Sequence, residues 1–302
     1  MKAMILAAGL GTRLRPYTQK RPKPLFPVLT KPLLHLTINK LKQAGFTAIV
    51  VNAYHLPDLI EKALQGAEDV VLQKEDIILG TGGGLRMALP IFGHDPVLVV
   101  NGDIYHSIDY REIYRSHCTA KSDVTLVLHD YPRFNDVAVD EIGRITGFRR
   151  KGEKSTGQEK ILAFTGIHVI NPGILQSIPG ITPSCIIDCY LKILQRGGSI
   201  QAYLPSDHFW TDMGTPADYL KLHADLLAHK VPIYEDLAEA AASGPFLVAE
   251  NASLGRDVNL LDWVCIGQGA IIGAGASLAR TVVWDGAVVP PQSIVKDAIV
   301  TP

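Results

Sequence analysis

The chain has 302 residues, 47% of them hydrophobic and 20% charged, so it can bury a sizeable core and is neither wholly disordered nor collagen-like. Its 29 basic and 30 acidic residues give a net charge of −1, which argues against bulk nucleic-acid binding. No apolar run reaches the ~20 residues of a membrane span, and Cys118, Cys185, Cys189 and Cys265 form no CxxC pair. No membrane segment, zinc site or disulfide framework is therefore expected, and a cytoplasmic protein with reduced thiols fits best.

Residues 3–8 are a continuous apolar run ended by Gly9. Such a run is too short for a secretory h-region and reads as a strand buried on both faces. Leu33, Leu34, Leu36, Ile38 and Leu41 then share a helical face. Residues 48–51 make a second strand, 58–64 a short helix, 70–72 a third strand, 84–89 a helix start and 97–100 a fourth strand. Strands alternating with helices predict βαβ units and a mainly parallel sheet, whose ligands lie beyond the carboxyl ends of the strands. Further strands are expected near 124–129, 137–147 and 163–170, and a helix near 186–194. Thr215 should cap a helix opening at Pro216.

The tail has its own period. Val248, Leu254, Leu260, Ile266, Ile272 and Leu278 recur every six residues, and after one five-residue step Val283, Val289 and Val295 continue. A six-residue aliphatic period is the pattern of a parallel β-helix with each aliphatic pointing inward. The chain thus divides into residues 1–229, a linker at 230–245 and a repeat domain at 246–302. The repeats are expected to build an independent core and to be dispensable for chemistry.

Charge is unevenly spread. Residues 1–57 hold nine Lys and Arg and no Asp or Glu. Either this is a solvated basic face or it is a site for a compact anion such as a phosphate chain. Within it, Leu6-Ala7-Ala8-Gly9-Leu10-Gly11-Thr12-Arg13 places two glycines after a strand. Backbone N–H groups there can approach phosphate oxygens, and Arg13 adds a forked cation. The loop is not a Walker A, since no Gly-Lys-Ser/Thr follows, and Leu14 stands at the third glycine of a dinucleotide fingerprint. Arg21-Pro22-Lys23-Pro24-Leu25 follows, with prolines stiffening the chain around one lysine.

Together these two stretches resemble the signature of the sugar-1-phosphate nucleotidylyltransferases. Leu79-Gly80-Thr81-Gly82-Gly83-Gly84, Val100-Asn101-Gly102-Asp103, Phe164-Thr165-Gly166-Ile167 and Trp210-Thr211-Asp212-Met213-Gly214-Thr215 match in family order. The resemblance covers residues 1 to about 225. It implies an α/β, Rossmann-like nucleotidyltransferase domain, and the tail resembles the left-handed β-helix of several members. The implied reaction joins a nucleoside triphosphate and a sugar 1-phosphate to give an NDP-sugar and pyrophosphate, for cell-envelope glycans.

In that reading Arg13 holds the triphosphate and Lys23 bridges the reacting phosphates. Asp103 and Asp212 share Mg²⁺, and the null role for each is a turn or helix cap. The loop residues Ala8, Gly9, Gly11 and Thr12 contact the nucleotide, as do Gln73, Gly80, Thr81 and Gly82, although the glycines could equally start a helix. Gly166 and Lys151 fall to the sugar phosphate. One departure stands out: Arg150 occupies the place of a family glutamate that accepts sugar hydroxyls, which a cation cannot do. Among relatives the resemblance runs to N-acetylmuramate-1-phosphate uridylyltransferases and mannose-1-phosphate guanylyltransferases, which makes UTP or GTP the expected nucleotide. Neither nucleic acid nor membrane is an expected partner, and the coils could form a homo-oligomer. Two rivals remain: a non-catalytic nucleotide or NDP-sugar sensor on the same scaffold, and a hexapeptide acyltransferase. The second lacks its base, since residues 230–302 contain no histidine.

Overall fold

A computed structural model describes residues 1–149 and 159–302. The chain forms two compact units, one of Met1–Leu10, Ile38–Gly102 and Ile108–His208, the other of Gly11–Thr37, Asp103–Ser107 and Phe209–Pro302.

The first unit is built on a nine-stranded sheet, counted over the described residues. Lys2–Leu6 lies between Ala48–Ala53 and Val97–Asn101, parallel to both, and Val70–Lys74 adds a further parallel strand. Val97, Leu98, Val99 and Val100 are all fully buried, which is why the sequence reads as an unbroken apolar run rather than an alternating one. The second half of the sheet changes sense. The long strand Lys160–Ile170 runs antiparallel to Val97–Asn101, to Val124–His129 and to Asn135–Val139. Helices Gly80–Phe92 and Ile186–Gln195 bury Leu85, Ala88, Phe92, Cys189 and Tyr190 against Met4, Val99, Leu126 and Val137. Asp109 caps the helix Tyr110–Ala120, its carboxylate accepting from the N–H groups of Arg111 and Glu112. No helix among the described residues is long and apolar enough to cross a membrane.

The second unit holds the short turns that follow Gly11, a two-stranded ribbon of Ile104–His106 with Trp210–Asp212, the helix Pro216–Leu227 and the C-terminal coils. As expected, Thr215 caps that helix, accepting from the N–H of Asp218 at 3.1 Å. The coils pair in parallel: Phe246–Val248 with Asn259–Ile266, that strand with Ser277–Val283, and Ser253–Leu254 with Ile271–Ile272 and then Val288–Val289. Their corners turn through left-handed residues stacked coil on coil, Asp262, Arg280 and Asp297 at one and Asp257, Gly275 and Gln292 at another. Arg280 is clamped between Asp262 and Asp297 along the first. The single five-residue step in the hexads has a local cause: two residues, Asp262 and Trp263, turn a corner that Arg280 turns alone one coil later.

Alternate residues of each coil strand face opposite ways. Ile266, Ile272, Leu278, Val283 and Val289 point inward, as the hexads predict. The register also stacks Leu247, Cys265, Val282 and Ile299 in one outward row, and this row is apolar and buried. It joins a core with Leu14, Phe26, Leu29, Tyr105, Tyr219, Leu222 and Leu226. The expected independence of the repeats is therefore not met.

Candidate active site

Four charged residues from distant parts of the chain converge in the second unit. Asp212 ends a ribbon strand opposite Ile104, and the N–H of Met213 donates to the carbonyl of Asp103 at 3.2 Å. Antiparallel pairing thus brings two carboxylates 109 positions apart to one end of one ribbon. Asp212 does not close a strand of the main sheet, as its aromatic lead-in had suggested, because Trp210 and Thr211 pair with the ribbon instead.

Lys23 opens the single 3₁₀ turn Lys23–Leu25 and is 6% exposed. Its Nζ lies 2.7 Å from Oδ2 of Asp103. Arg13, in the turn Thr12–Leu14, places its guanidinium 3.6 Å from Oδ2 of Asp212 and remains largely exposed. Burial pushes the Asp212 carboxyl above its usual range, an effect opposed by Lys23 and Arg13 and reinforced by Asp218 and Asp103. Gly214 makes the cluster possible: a Cβ there would fall against Oδ2 of Asp212 and 2.9 Å from the Arg13 guanidinium.

Two hard carboxylates alone are a poor closed metal cage, and no group of three or more His, Cys, Asp or Glu suited to a metal occurs among the described residues. They do match magnesium, which is usually held by one or two carboxylates with waters and substrate phosphates.

Of the loop residues expected to meet a nucleotide, Ala8 and Gly9 belong to the first unit and Gly11 and Thr12 to the second. Gly9 has open space where a Cβ would stand. Gly11 has φ +60, and a Cβ there would lie 2.7 Å from Thr18, whose hydroxyl donates to the Gly11 carbonyl.

Gly80, Thr81 and Gly82 form the first turn of the helix Gly80–Phe92 rather than a loop. The N–H of Gly82 donates to the carbonyl of Ser184 at 2.8 Å, and the hydroxyl of Thr81 accepts from the N–H of Ile186. Gln73 is buried, its amide donating to the carbonyl of Gly84 at 3.0 Å. Gly166 has φ +79 and leaves room for the side chain of Asn101. Lys151 and Arg150 lie outside the described residues.

Three buried polar residues escaped sequence reasoning. Asn52 accepts from the N–H of Ala7 at 2.7 Å and donates to Glu75 at 2.6 Å, while Glu75 also accepts from the N–H of Leu79. Burial raises the Glu75 carboxyl. This network ties the end of the first strand to the start of the glycine helix. In the second unit, His223 is fully buried and accepts the N–H of Leu29 on Nε2. A backbone N–H can only donate, so Nδ1 carries the proton and donates to the carbonyl of Tyr219. Burial holds this imidazole down at about 4. No local pattern marks these residues, since each is an isolated polar position whose partner lies far away in sequence or is a backbone group.

Known proteins align closely with this arrangement. The family model described as nucleotidyl transferase matches residues 2–229. A rice relative (Oryza sativa subsp. japonica), "Probable mannose-1-phosphate guanylyltransferase 1", is 32% identical over 99% of this chain and 86% of its own length. A UTP–glucose-1-phosphate uridylyltransferase of Synechocystis is 26% identical over 99% of this chain and 87% of its own. Among solved structures, HddC from Yersinia pseudotuberculosis complexed with GMP-PN superposes with a TM-score of 0.62 at 25% identity, covering 74% of this chain and 97% of that one. With Arg13, Lys23, Asp103 and Asp212 all inside the matched span, the chain belongs to the nucleotidyl transferase family.

Proposed function

We propose that the protein makes an NDP-sugar and pyrophosphate from a nucleoside triphosphate and a sugar 1-phosphate. A phosphate oxygen of the sugar 1-phosphate forms a bond to the α-phosphorus, and the bond from that phosphorus to the β-phosphate oxygen breaks, its electron pair leaving with pyrophosphate. The reaction asks the protein to align two anions and spread their charge rather than to supply a nucleophile. The observation that carries this reading is the meeting of Lys23 with Asp103 and of Arg13 with Asp212 within one unit.

Lys23, a compact cation with three donors, suits a position between phosphate oxygens of both substrates, and the forked, exposed Arg13 suits the departing pyrophosphate. Asp103 and Asp212 would hold Mg²⁺, which when bound offsets phosphate charge. The resemblance places Ala8, Gly9, Gly11 and Thr12 on the phosphates, Gln73, Gly80, Thr81 and Gly82 on the nucleoside, and Gly166 and Lys151 on the sugar phosphate. GTP with mannose 1-phosphate is the first pair to test, supported by the rice relative's name and the GMP-PN complex of HddC, and UTP is the second nucleotide.

Residues 1–229 carry all of these assignments, 230–245 connect, and 246–302 are read as left-handed coils that could assemble copies of the chain. A cytoplasmic role in cell-envelope glycan synthesis fits these substrates. A matrix of five nucleoside triphosphates against sugar 1-phosphates, read by pyrophosphate release, tests the reading. Release should occur for one preferred pair and fall about 10²–10³-fold in Lys23→Ala, the cost of one preorganised electrostatic group. Binding without release for every pair would leave a non-catalytic sensor.

A further inference from the structure

The turn that carries Lys23 has few means of holding its own shape. Pro22 and Pro24 bring no N–H, so its local backbone bonds are Leu25 N–H to the Pro22 carbonyl and Phe26 N–H to the Lys23 carbonyl, at 2.9 and 3.0 Å. Its position must come from packing, and much of that packing comes from one side chain in the C-terminal coils.

Trp284 follows the strand Ser277–Val283 and is 1% exposed. Its ring meets Phe26 edge to face at 4.7 Å between centroids, and the Arg21 guanidinium lies 4.7 Å from the indole centroid. Tyr17 packs at 6.3 Å. The indole N–H donates to the Tyr219 hydroxyl at 3.1 Å, and that hydroxyl donates onward to the Pro27 carbonyl at 2.6 Å. Residues 21, 26 and 27, on both sides of Lys23, are thus fixed by direct or relayed contact with one tryptophan. Two further ties come from the same coils: the Cys265 thiol donates to the Leu29 carbonyl at 3.3 Å, and Lys20 Nζ lies 3.3 Å from the Thr301 hydroxyl.

We propose that Trp284 is a positioning residue for catalysis, holding residues 21–27 from the C-terminal coils so that Lys23 is presented to the reacting phosphates. The inference rests on the proposed role of Lys23. Bulk alone does not explain the contacts, because the N–H relay to Pro27 and the ring beneath Arg21 both need an indole.

The test joins hydrogen–deuterium exchange of residues 17–29 with steady-state kinetics of Trp284→Leu, alone and with Lys23→Ala. Exchange in 17–29 should speed up in Trp284→Leu. Its kcat should fall about 10- to 100-fold, the scale of a misplaced catalytic group, while KM for the nucleotide stays within about twofold. In the Lys23→Ala background the same substitution should change kcat by less than about twofold, since the two residues would act as a unit. Should Trp284→Leu not fold, Trp284→Phe, which keeps a ring and loses the N–H, should show the same pattern at smaller size.

Unchanged exchange in 17–29 would overturn the proposal, and so would equal kcat losses with and without Lys23. A wild-type chain releasing no pyrophosphate would instead sink the proposed reaction, and the exchange result would then decide alone whether Trp284 orders the lysine turn.

Discussion

At the scale of single residues, the charged cluster is self-neutralised, each cation lying against one carboxylate. The closeness of Asp103 and Asp212 on one ribbon end argues that they serve one ion. Asp103→Asn and Asp212→Asn should each weaken magnesium activation, and the double variant should be little worse than the poorer single one. Magnesium titration of initial rates measures this; multiplicative losses would reduce one aspartate to a structural group. All four charged residues were legible beforehand because each sits in a short motif whose chemistry is local to the sequence. Asn52, Glu75 and His223 were not. Their roles exist only once remote backbone groups arrive, and an isolated buried Asn, Glu or His carries no pattern before that happens.

Among the elements, the glycine run at 80–84 shows how two sequence readings part company. It begins a helix, and residues 182–185 approach it so closely that a Cβ on Gly83 would strike the Thr182 carbonyl. Gly83→Ala should therefore destabilise the fold by about 1–3 kcal/mol through overpacking. The urea midpoint should drop with little change in its slope. An unchanged midpoint would mean that the close approach relaxes easily and the glycine serves another purpose. The parallel strands and their order of appearance were readable from apolar runs and glycine stops. The antiparallel sense of Lys160–Ile170 was not, because a strand buried on both faces has the same composition whichever way it runs.

For the molecule as a whole, acid is the expected weakness. Burial holds His223 and His129 down at about 4 and His168 at about 3, against 6.5 for a free imidazole. Each stays neutral in the fold but takes up a proton near pH 6.5 once unfolded. Between pH 6.5 and 4 the unfolded chain binds more protons, so stability rises with pH and is lost on acidification. For a fully buried imidazole such as His223 or His168, the limiting slope is about 1.4 kcal/mol per pH unit. Denaturant midpoints should fall steadily from pH 7 to 5, and a flat profile would show that these imidazoles accept protons inside the fold.

The hexads announced the inward face of the coils, but their outward face was silent in the sequence, since Leu247, Cys265, Val282 and Ile299 stand outside the six-residue count. That row has a consequence for how the chain can change length. Each coil contributes one residue to it, so gaining or losing a whole coil would leave a continuous apolar strip for the helix Pro216–Leu227 to lie on. Removing a single residue from the strand Ser277–Val283 would reverse the facing of everything after it, turning Trp284 into the coil interior and a valine of the core outward. The tail can be edited in units of a turn of the solenoid, while a one-residue deletion there would act as a frameshift in space.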